Sequence, residues 1–93
     1  MEFARVLTES GLSKIELGML YSVSRQTIHT WAAGGIPREN SLLARQAEVI
    51  TNALLASVRR GLLPLGAMDK TVRRERINKM AAQLQGLKPA PLR

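Results

Sequence analysis

The sequence predicts an all-α protein, and three observations lead to that prediction. Apolar residues recur at helical spacing in five segments, most of which are bounded by residues typical of helix caps. Aromatic residues make up only 3% of the 93-residue chain, so the core must be built from Leu, Ile, Val, Met and Ala, a composition that suits helices better than sheets. The segment 40–60 contains neither Gly nor Pro, as a long helix requires.

Two short helices are predicted at the start of the chain. Residues 2–10 form the first, which ends at Gly11. Its apolar face consists of Phe3, Val6 and Leu7. Ser13 and Glu16 have the spacing of a capping box, in which each side chain satisfies a backbone N–H at the helix start. A second helix is therefore expected to run to about Tyr21, with an apolar face made of Ile15, Leu17, Met19 and Leu20.

A third helix is predicted to follow the second after a short turn. Residues 22–24 interrupt the second helix, and the hydroxyl of Ser24 can accept from the backbone N–H of Gln26 or Thr27. The third helix then runs to about Ala33 and is ended by two glycines. Two helices joined by so short a turn form a helix-turn-helix unit.

Two longer helices are predicted in the second half of the chain. The fourth runs from about residue 40 to Arg60 and stops at Gly61. Its apolar stripe consists of Leu43, Ala47, Ile50, Leu54 and Val58, widened by Leu42, Val49, Ala53 and Ala56. The fifth begins after Asp69 as N-cap and runs to about Gln85. Its heptad-like seam is Ile77, Met80, Leu84 and Leu87.

These elements predict a domain of residues 1–60, a helical dimerisation extension of residues 61–86 and a disordered tail of residues 87–93. The stripe of the fourth helix is wider than one small domain needs to bury, and two heptads alone make a weak coiled coil. We therefore expect the last two helices to join a second copy of the chain in a homodimer. The residues expected in that interface are Leu54, Val58, Ile77, Met80 and Leu84.

The positive charge is concentrated in the second half of the chain. The net charge is +7, yet residues 1–40 hold four basic and four acidic side chains, whereas residues 41–93 hold ten basic and three acidic ones. This asymmetry indicates a polyanionic partner, of which nucleic acid is the commonest. A basic tail that only keeps the protein in solution is the alternative. Arg59 and Arg60 fit either nucleic-acid contact or capping of the helix that they end.

Several classes of protein are disfavoured by the composition. The chain has no Cys, one His, no close carboxylate pair and no Gly-rich phosphate loop, so we expect neither an enzyme nor a bound metal or cofactor, and no small-molecule substrate. No apolar run reaches the roughly 20 residues of a membrane span. The first ten residues carry acids and lack an apolar core, so they are not expected to be a signal peptide.

The segment from Lys14 to Trp31 resembles the helix-turn-helix of the Cro and phage-repressor family of DNA-binding proteins. That family has a Leu-Ala pair, a Gly-Val-Ser turn, an aliphatic residue four positions after the Ser and often a Trp three further on. The matching positions are Leu17-Gly18, Ser22-Val23-Ser24, Ile28 and Trp31, followed by a Gly-Gly-Ile-Pro loop at 34–37. The resemblance covers residues 1 to about 55 and departs from the pattern at Gly18 and Ser22.

A helix in this position is expected to enter the major groove of DNA with its N-terminal residues against the base edges. Arg25 can contact guanine and Gln26 adenine, each through two hydrogen bonds. His29 and Thr30 lie about one helical turn further on and are also expected to read bases. Ile28 and Trp31 are expected in the core, and Tyr21 at its edge.

Contacts to the phosphate backbone are expected from two regions. Within the motif domain these are Lys14, Ser24, Thr27 and Arg38, and the resemblance implies the same role for Lys14. In the basic segment 69–79 they are Arg73, Arg74 and Arg76. The alternative for that segment is a solvated helix face with Arg–Glu pairs.

The expected function is that of a sequence-specific transcriptional regulator, a repressor of phage or plasmid type that reads a palindromic operator in double-stranded DNA. It would lie in the cytoplasm of a bacterial or phage-infected cell, associated with the nucleoid. One alternative is an accessory protein of DNA packaging or recombination, similar to a small terminase subunit or an excisionase. An excisionase would need a β-wing after Pro37, where no alternating pattern occurs. A module that binds only proteins is the third possibility.

Overall fold

The computed structural model describes residues 2–37 and 41–87 and folds them into five α-helices without a β-strand. In chain order the helices are α1 (Glu2–Glu9), α2 (Lys14–Tyr21), α3 (Arg25–Gly34), α4 (Leu42–Arg59) and α5 (Lys70–Gln85). The all-α prediction is confirmed, and each boundary within the described residues lies within two positions of the predicted one. The tail predicted to be disordered lies, from residue 88 onward, outside the described part.

Four of the five helices begin at a residue whose side-chain oxygen accepts the backbone N–H three positions later. These N-cap residues are Ser13, Ser24, Ser41 and Asp69. At Ser13 the capping box is complete, because the backbone N–H of Ser13 also donates to Glu16 Oε1 at 2.8 Å. Such caps satisfy backbone groups that the helix itself leaves unpaired, so short polar side chains set the helix starts.

The first four helices enclose a core around three aromatic rings. Phe3, Tyr21 and Trp31 meet edge to face, with ring centroids 5.5 to 5.7 Å apart. The Tyr21 hydroxyl is buried and hydrogen-bonded to Thr51 Oγ1 at 2.6 Å, and burial raises the pKa of Tyr21 above its ordinary value. Ile28 is also fully buried, as predicted. The aromatic cluster ties α1, α2, α3 and α4 together.

The apolar face predicted for α2 is partly wrong. Leu17 and Leu20 are fully buried, but Ile15 is 62% exposed and Met19 39% exposed. Ile15 and Met19 lie four positions apart and so share one stripe, which points away from the core. At the start of α4 the predicted stripe is also too wide, since Leu42 and Leu43 are both exposed.

The position of α5 determines how far the residues expected in the dimer interface are exposed. Helix α5 packs along α2 of its own chain, with its first turn beside the start of α2 and Gln85 hydrogen-bonded to Ser22 at the end of α2. Leu54 on α4 and Ile77 on α5 are each only 1% exposed. Leu84 is buried too, and Val58 and Met80 pack against the same core.

The seam that predicted a second subunit is therefore filled within the chain. Ile77 and Leu84 belong to the same hydrophobic cluster as the residues of α1 to α4. The segment expected to act as a separate dimerisation extension thus contributes to the core of the motif domain.

An ion pair joins α5 to the start of α2. Arg73 donates from Nε to Glu16 Oε2 at 2.6 Å and from Nη2 to Glu16 Oε1 at 2.9 Å, and Nη2 also reaches the carbonyl of Gly11 at 3.2 Å. The Glu16 side chain is only 17% exposed. The hydrogen bonds from Arg73, and then those from Ser13, lower the pKa of Glu16, although its burial acts the other way. One carboxylate thus caps α2 and anchors α5.

The turn between α2 and α3 depends on a glycine. A Cβ on Gly18 would lie 2.9 Å from the carbonyl oxygen of Val23, closer than side-chain carbons approach backbone oxygens. The carbonyl of Gly18 in turn accepts from the N–H of Val23 at 3.0 Å. Ser22 between them adopts a left-handed conformation, with φ of 57°. Gly18 therefore lets the turn fold back onto α2.

We predict that Gly18→Ala destabilises the fold by about 1–3 kcal/mol, because the added methyl group must displace backbone. Helix propensity alone would favour alanine by up to ~1 kcal/mol, so the expected sign is opposite to the propensity effect. Gly34→Ala is the matched control, since a Cβ there meets nothing within 4 Å. Urea unfolding measures both variants. A Gly18→Ala protein as stable as the Gly34→Ala protein would contradict the close approach.

A second prediction concerns acid stability. The pKa of Glu16 is lower in the folded than in the unfolded chain, so its pairing with Arg73 stabilises the fold at pH values above about 4.3. This stabilisation is lost as the pH falls through the pKa of Glu16 in the folded protein. Arg73→Gln should lower the free energy of unfolding at pH 7 by about 1 kcal/mol, with the difference from the parent shrinking below about pH 4.

Arg5→Gln serves as control for that measurement, because Arg5 pairs with Glu9 on the exposed surface of α1. Its substitution should leave the stability nearly unchanged at every pH. Urea titrations from neutral to acidic pH give the comparison. A stability difference between parent and Arg73→Gln that stays constant down to pH values where Glu16 is protonated would rule out the ion pair as its cause.

Candidate nucleic-acid interface

The exposed face of α3 carries the side chains predicted to read bases. Arg25, Gln26, His29 and Thr30 are all exposed, while Ile28 and Trp31 on the opposite face are buried. The two sets alternate as the 3.6-residue period requires. The structure therefore brings the four predicted base-reading residues together within the first two turns of one helix.

Thr30 has part of its hydrogen-bonding capacity already in use. Its hydroxyl donates to the backbone carbonyl of Gln26 at 3.1 Å, one turn back in α3. The oxygen lone pairs and the methyl group stay available. Thr30 can therefore accept a hydrogen bond or pack against a methyl group, but it donates only if its bond to Gln26 is broken.

Ser24 and Thr27 lie at the start of α3, where phosphate contacts were predicted. Ser24 Oγ accepts from the backbone N–H of Thr27 at 3.1 Å and lies 3.0 Å from Thr27 Oγ1. The two hydroxyls are hydrogen-bonded to each other, so a phosphate oxygen would bind only the one hydroxyl proton that this pair leaves free. Their first role in the structure is to begin the helix.

A contact between Lys14 and His29 links the two helices of the motif. Lys14 Nζ lies 3.0 Å from His29 Nδ1, and both residues are accessible to solvent. Lys14 was predicted to bind phosphate and His29 to read a base, and the structure places them side by side. Sequence spacing gave no sign of this pair, because the two residues are 15 positions apart and on different helices.

The electrostatics of this surface favour an anionic ligand. Helix α3 contains no acidic residue, and Glu16 on the neighbouring helix α2 is paired with Arg73. Among the described residues, Arg25 has no carboxylate within ion-pair distance, and Lys14 contacts only an imidazole. The positive charge of the motif is thus not compensated locally.

The basic segment of α5 divides into two groups. Arg74 and Arg76 are exposed, so their predicted contact with phosphate is sterically open and stays a prediction. The guanidinium of Arg73 already binds Glu16 and the carbonyl of Gly11, so a phosphate would compete with these partners, and its predicted phosphate contact likewise stays a prediction. The Arg–Glu pairing considered as the alternative applies to that one residue. Arg38, the remaining phosphate candidate, lies outside the described residues.

Neither a metal site nor a membrane-spanning helix is found in residues 2–37 and 41–87. No group of three or more His, Asp or Glu side chains there is arranged to hold a metal ion. None of the helices in this part of the chain is long and apolar enough to cross a membrane.

Comparisons with protein-family models, with curated proteins and with solved structures gave no match for this chain.

The Lys14–His29 contact makes a spectroscopic prediction. A lysine ammonium can only donate, so Nδ1 of the neutral imidazole must accept and the ring proton must reside on Nε2. Long-range ¹H–¹⁵N correlation spectra above pH 8 should show the Nε2–H tautomer for His29, the only histidine of the chain. Lys14→Met should shift the Nδ1 resonance towards that of an unpaired ring. Predominance of the Nδ1–H tautomer in the parent would exclude the contact.

Proposed function

We propose that the protein is a sequence-specific DNA-binding protein that inserts α3 into the major groove and acts as a transcriptional regulator. Its resemblance to the Cro and phage-repressor family favours a repressor of phage or plasmid type. The observation that carries the proposal is the exposed face of α3, where Arg25, Gln26 and His29 lie on a helix supported by a short turn and a buried opposite face. Arginine and glutamine at the start of such a helix match the acceptor and donor pattern of guanine and adenine edges.

The backbone contacts in this proposal come from the same surface. Lys14, at the start of α2, lies beside His29 and would meet a phosphate that flanks the groove. When Lys14 donates to Nδ1, His29 presents Nε2–H as a donor for a base or a phosphate oxygen. Arg74 and Arg76 on α5 would add contacts that raise affinity without sequence preference.

Homodimerisation belongs to the proposal for a geometric reason. One recognition helix reads only a few base pairs, whereas two helices spaced about 34 Å apart read a palindrome on one side of the duplex. Of the five residues first expected in the interface, Leu54, Ile77 and Leu84 are buried in the monomer, whereas Val58 and Met80 are only partly buried beside the same core. A dimer would therefore draw mainly on residues that the monomer leaves exposed.

Among the alternatives, an excisionase-like winged motif has the least support. Helix α4 begins at Leu42, five positions after Pro37, and the described residues on either side of the gap at 38–40 contain no strand. A small terminase subunit would be separated from a dimeric repressor by its ring-shaped oligomer, which a solution mass detects.

The proposal is tested by selecting bound sites from random duplex DNA and measuring affinity for the selected site and its single-base variants. Arg25→Ala and Gln26→Ala should each cost about 1–3 kcal/mol on the selected site and relax the preference at one base pair, with little change in nonspecific affinity. Arg5→Ala removes an exposed arginine from α1 and controls for loss of charge.

Two outcomes would overturn the proposal. If Arg25→Ala and Gln26→Ala both keep the full base preference of the parent, α3 is not the recognition helix. If the parent binds no DNA even at low salt, where phosphate contacts are strongest, the protein belongs to the class of protein-interaction modules.

A further inference from the structure

A cleft between α2 and α5 is separate from the base-reading face of α3. It has a volume of about 530 Å³, and its lining residues are Ile15, Glu16, Met19, Lys70, Thr71, Arg73, Arg74 and Ile77. The ion pair of Glu16 with Arg73 crosses it, and Ile77 closes its floor at the hydrophobic core. The cleft is large enough to take several aliphatic side chains.

Two apolar side chains in this cleft are exposed without a covering element. Ile15 is 62% exposed and Met19 39% exposed, and they lie one helical turn apart on the same stripe of α2. Single exposed apolar residues are normal on protein surfaces, so this pair is distinguished by its shared position in a cleft. Methionine in particular adapts its shape to different partners.

The opposite wall of the cleft is basic. Lys70 and Arg74 lie one turn apart on α5, and neither has a carboxylate within ion-pair distance among the described residues. Glu16, the acid inside the cleft, is already neutralised by Arg73. The cleft therefore offers an apolar strip beside two cations that lack a counter-charge.

We propose that this cleft binds an acidic amphipathic helix of a partner protein. Aliphatic side chains at positions i and i+4 of the partner helix would cover Ile15 and Met19, and carboxylates on its flank would pair with Lys70 and Arg74. This is the helix-in-groove mode of recognition, in which apolar anchors give affinity and flanking charges give orientation.

Two other occupants fit these observations less well. A DNA backbone would satisfy Lys70 and Arg74 but offers no apolar group to cover Ile15 and Met19. A second copy of this chain carries a net charge of +7, so its approach to a basic cleft is opposed by repulsion. An acidic helix matches both the charge and the apolar strip. The proposal goes beyond DNA binding and does not depend on it.

The test uses a synthetic fluorescent peptide of about four helical turns with Leu at i, i+4 and i+7 and Glu on both flanks, whose anisotropy is followed as the full-length protein is added. Saturable binding with a Kd between about 1 and 100 μM is expected. A matched peptide that keeps the Leu residues and replaces every Glu by Lys should bind at least about tenfold more weakly.

Two double variants locate the binding surface. Ile15→Ser with Met19→Ser removes the apolar strip, and Lys70→Glu with Arg74→Glu reverses the basic wall; each should weaken peptide binding at least about tenfold. Two control double variants make the same chemical changes at exposed positions of α4 and at the residue after it. They are Leu42→Ser with Leu43→Ser, and Arg59→Glu with Arg60→Glu. These controls should alter the Kd by less than about twofold. Thermal unfolding followed by circular dichroism verifies that all four proteins are folded.

The proposal is overturned if the acidic peptide shows no saturation up to about 1 mM protein, or if the control variants weaken binding as much as the cleft variants do. It is also overturned if sedimentation shows that the parent self-associates and that Ile15→Ser with Met19→Ser abolishes this, since a second copy then fills the cleft. A loss of DNA affinity in the same serine variant, with the peptide unbound, would assign the cleft to DNA. If the parent protein binds the acidic peptide but no DNA, the proposed function fails and the cleft proposal stands.

Discussion

The close approach of the turn to Gly18 is the constraint on which the geometry of the motif depends. Because Gly18 has no side chain, the carbonyl oxygen of Val23 can lie 2.9 Å from the position that a Cβ would occupy. The chain then reverses through the left-handed Ser22, and Ser24 starts α3 at a fixed angle to α2. That angle buries Ile28 and Trp31, which leaves the opposite face of α3 to solvent. It also brings His29 to Lys14, so one short backbone contact organises the whole candidate interface.

The ion pair of Glu16 with Arg73 explains why α5 packs on the domain and does not extend from it as a free helix. Glu16 completes the capping box of α2 and also binds Arg73, which holds α5 against α2. With α5 in that position, Ile77 and Leu84 complete the core instead of a subunit interface. The ion pair is only partly exposed and is shared with the backbone of Gly11, so it fixes orientation as well as adding stability. The same docking leaves the cleft beside Ile15.

Helix starts could be predicted from the sequence because caps are local interactions: Ser13 with Glu16, Ser24 and Asp69 act on N–H groups within three residues. The face of α3 followed from the same local period. The direction of the chain after Arg60 could not be predicted, since no local pattern says that α5 returns along α2 instead of leaving the domain. The exposure of Ile15, the burial of Ile77 and the ion pair of Arg73 all follow from that one unknown, as tertiary contacts decide which side of an amphipathic helix is covered. The contact of Lys14 with His29 was missed because it crosses between helices.

The central claim is that α3 reads base edges in the major groove, and modified bases test it from the DNA side. In the selected site, 7-deazaguanine removes the N7 acceptor that arginine contacts, whereas replacing guanine with inosine removes an amino group from the minor groove. The account predicts that 7-deazaguanine at one position weakens binding by about 1–3 kcal/mol and that this loss disappears in the Arg25→Ala protein. Inosine at the same position should have little effect. Affinity that is insensitive to every major-groove substitution but falls with inosine would contradict the account.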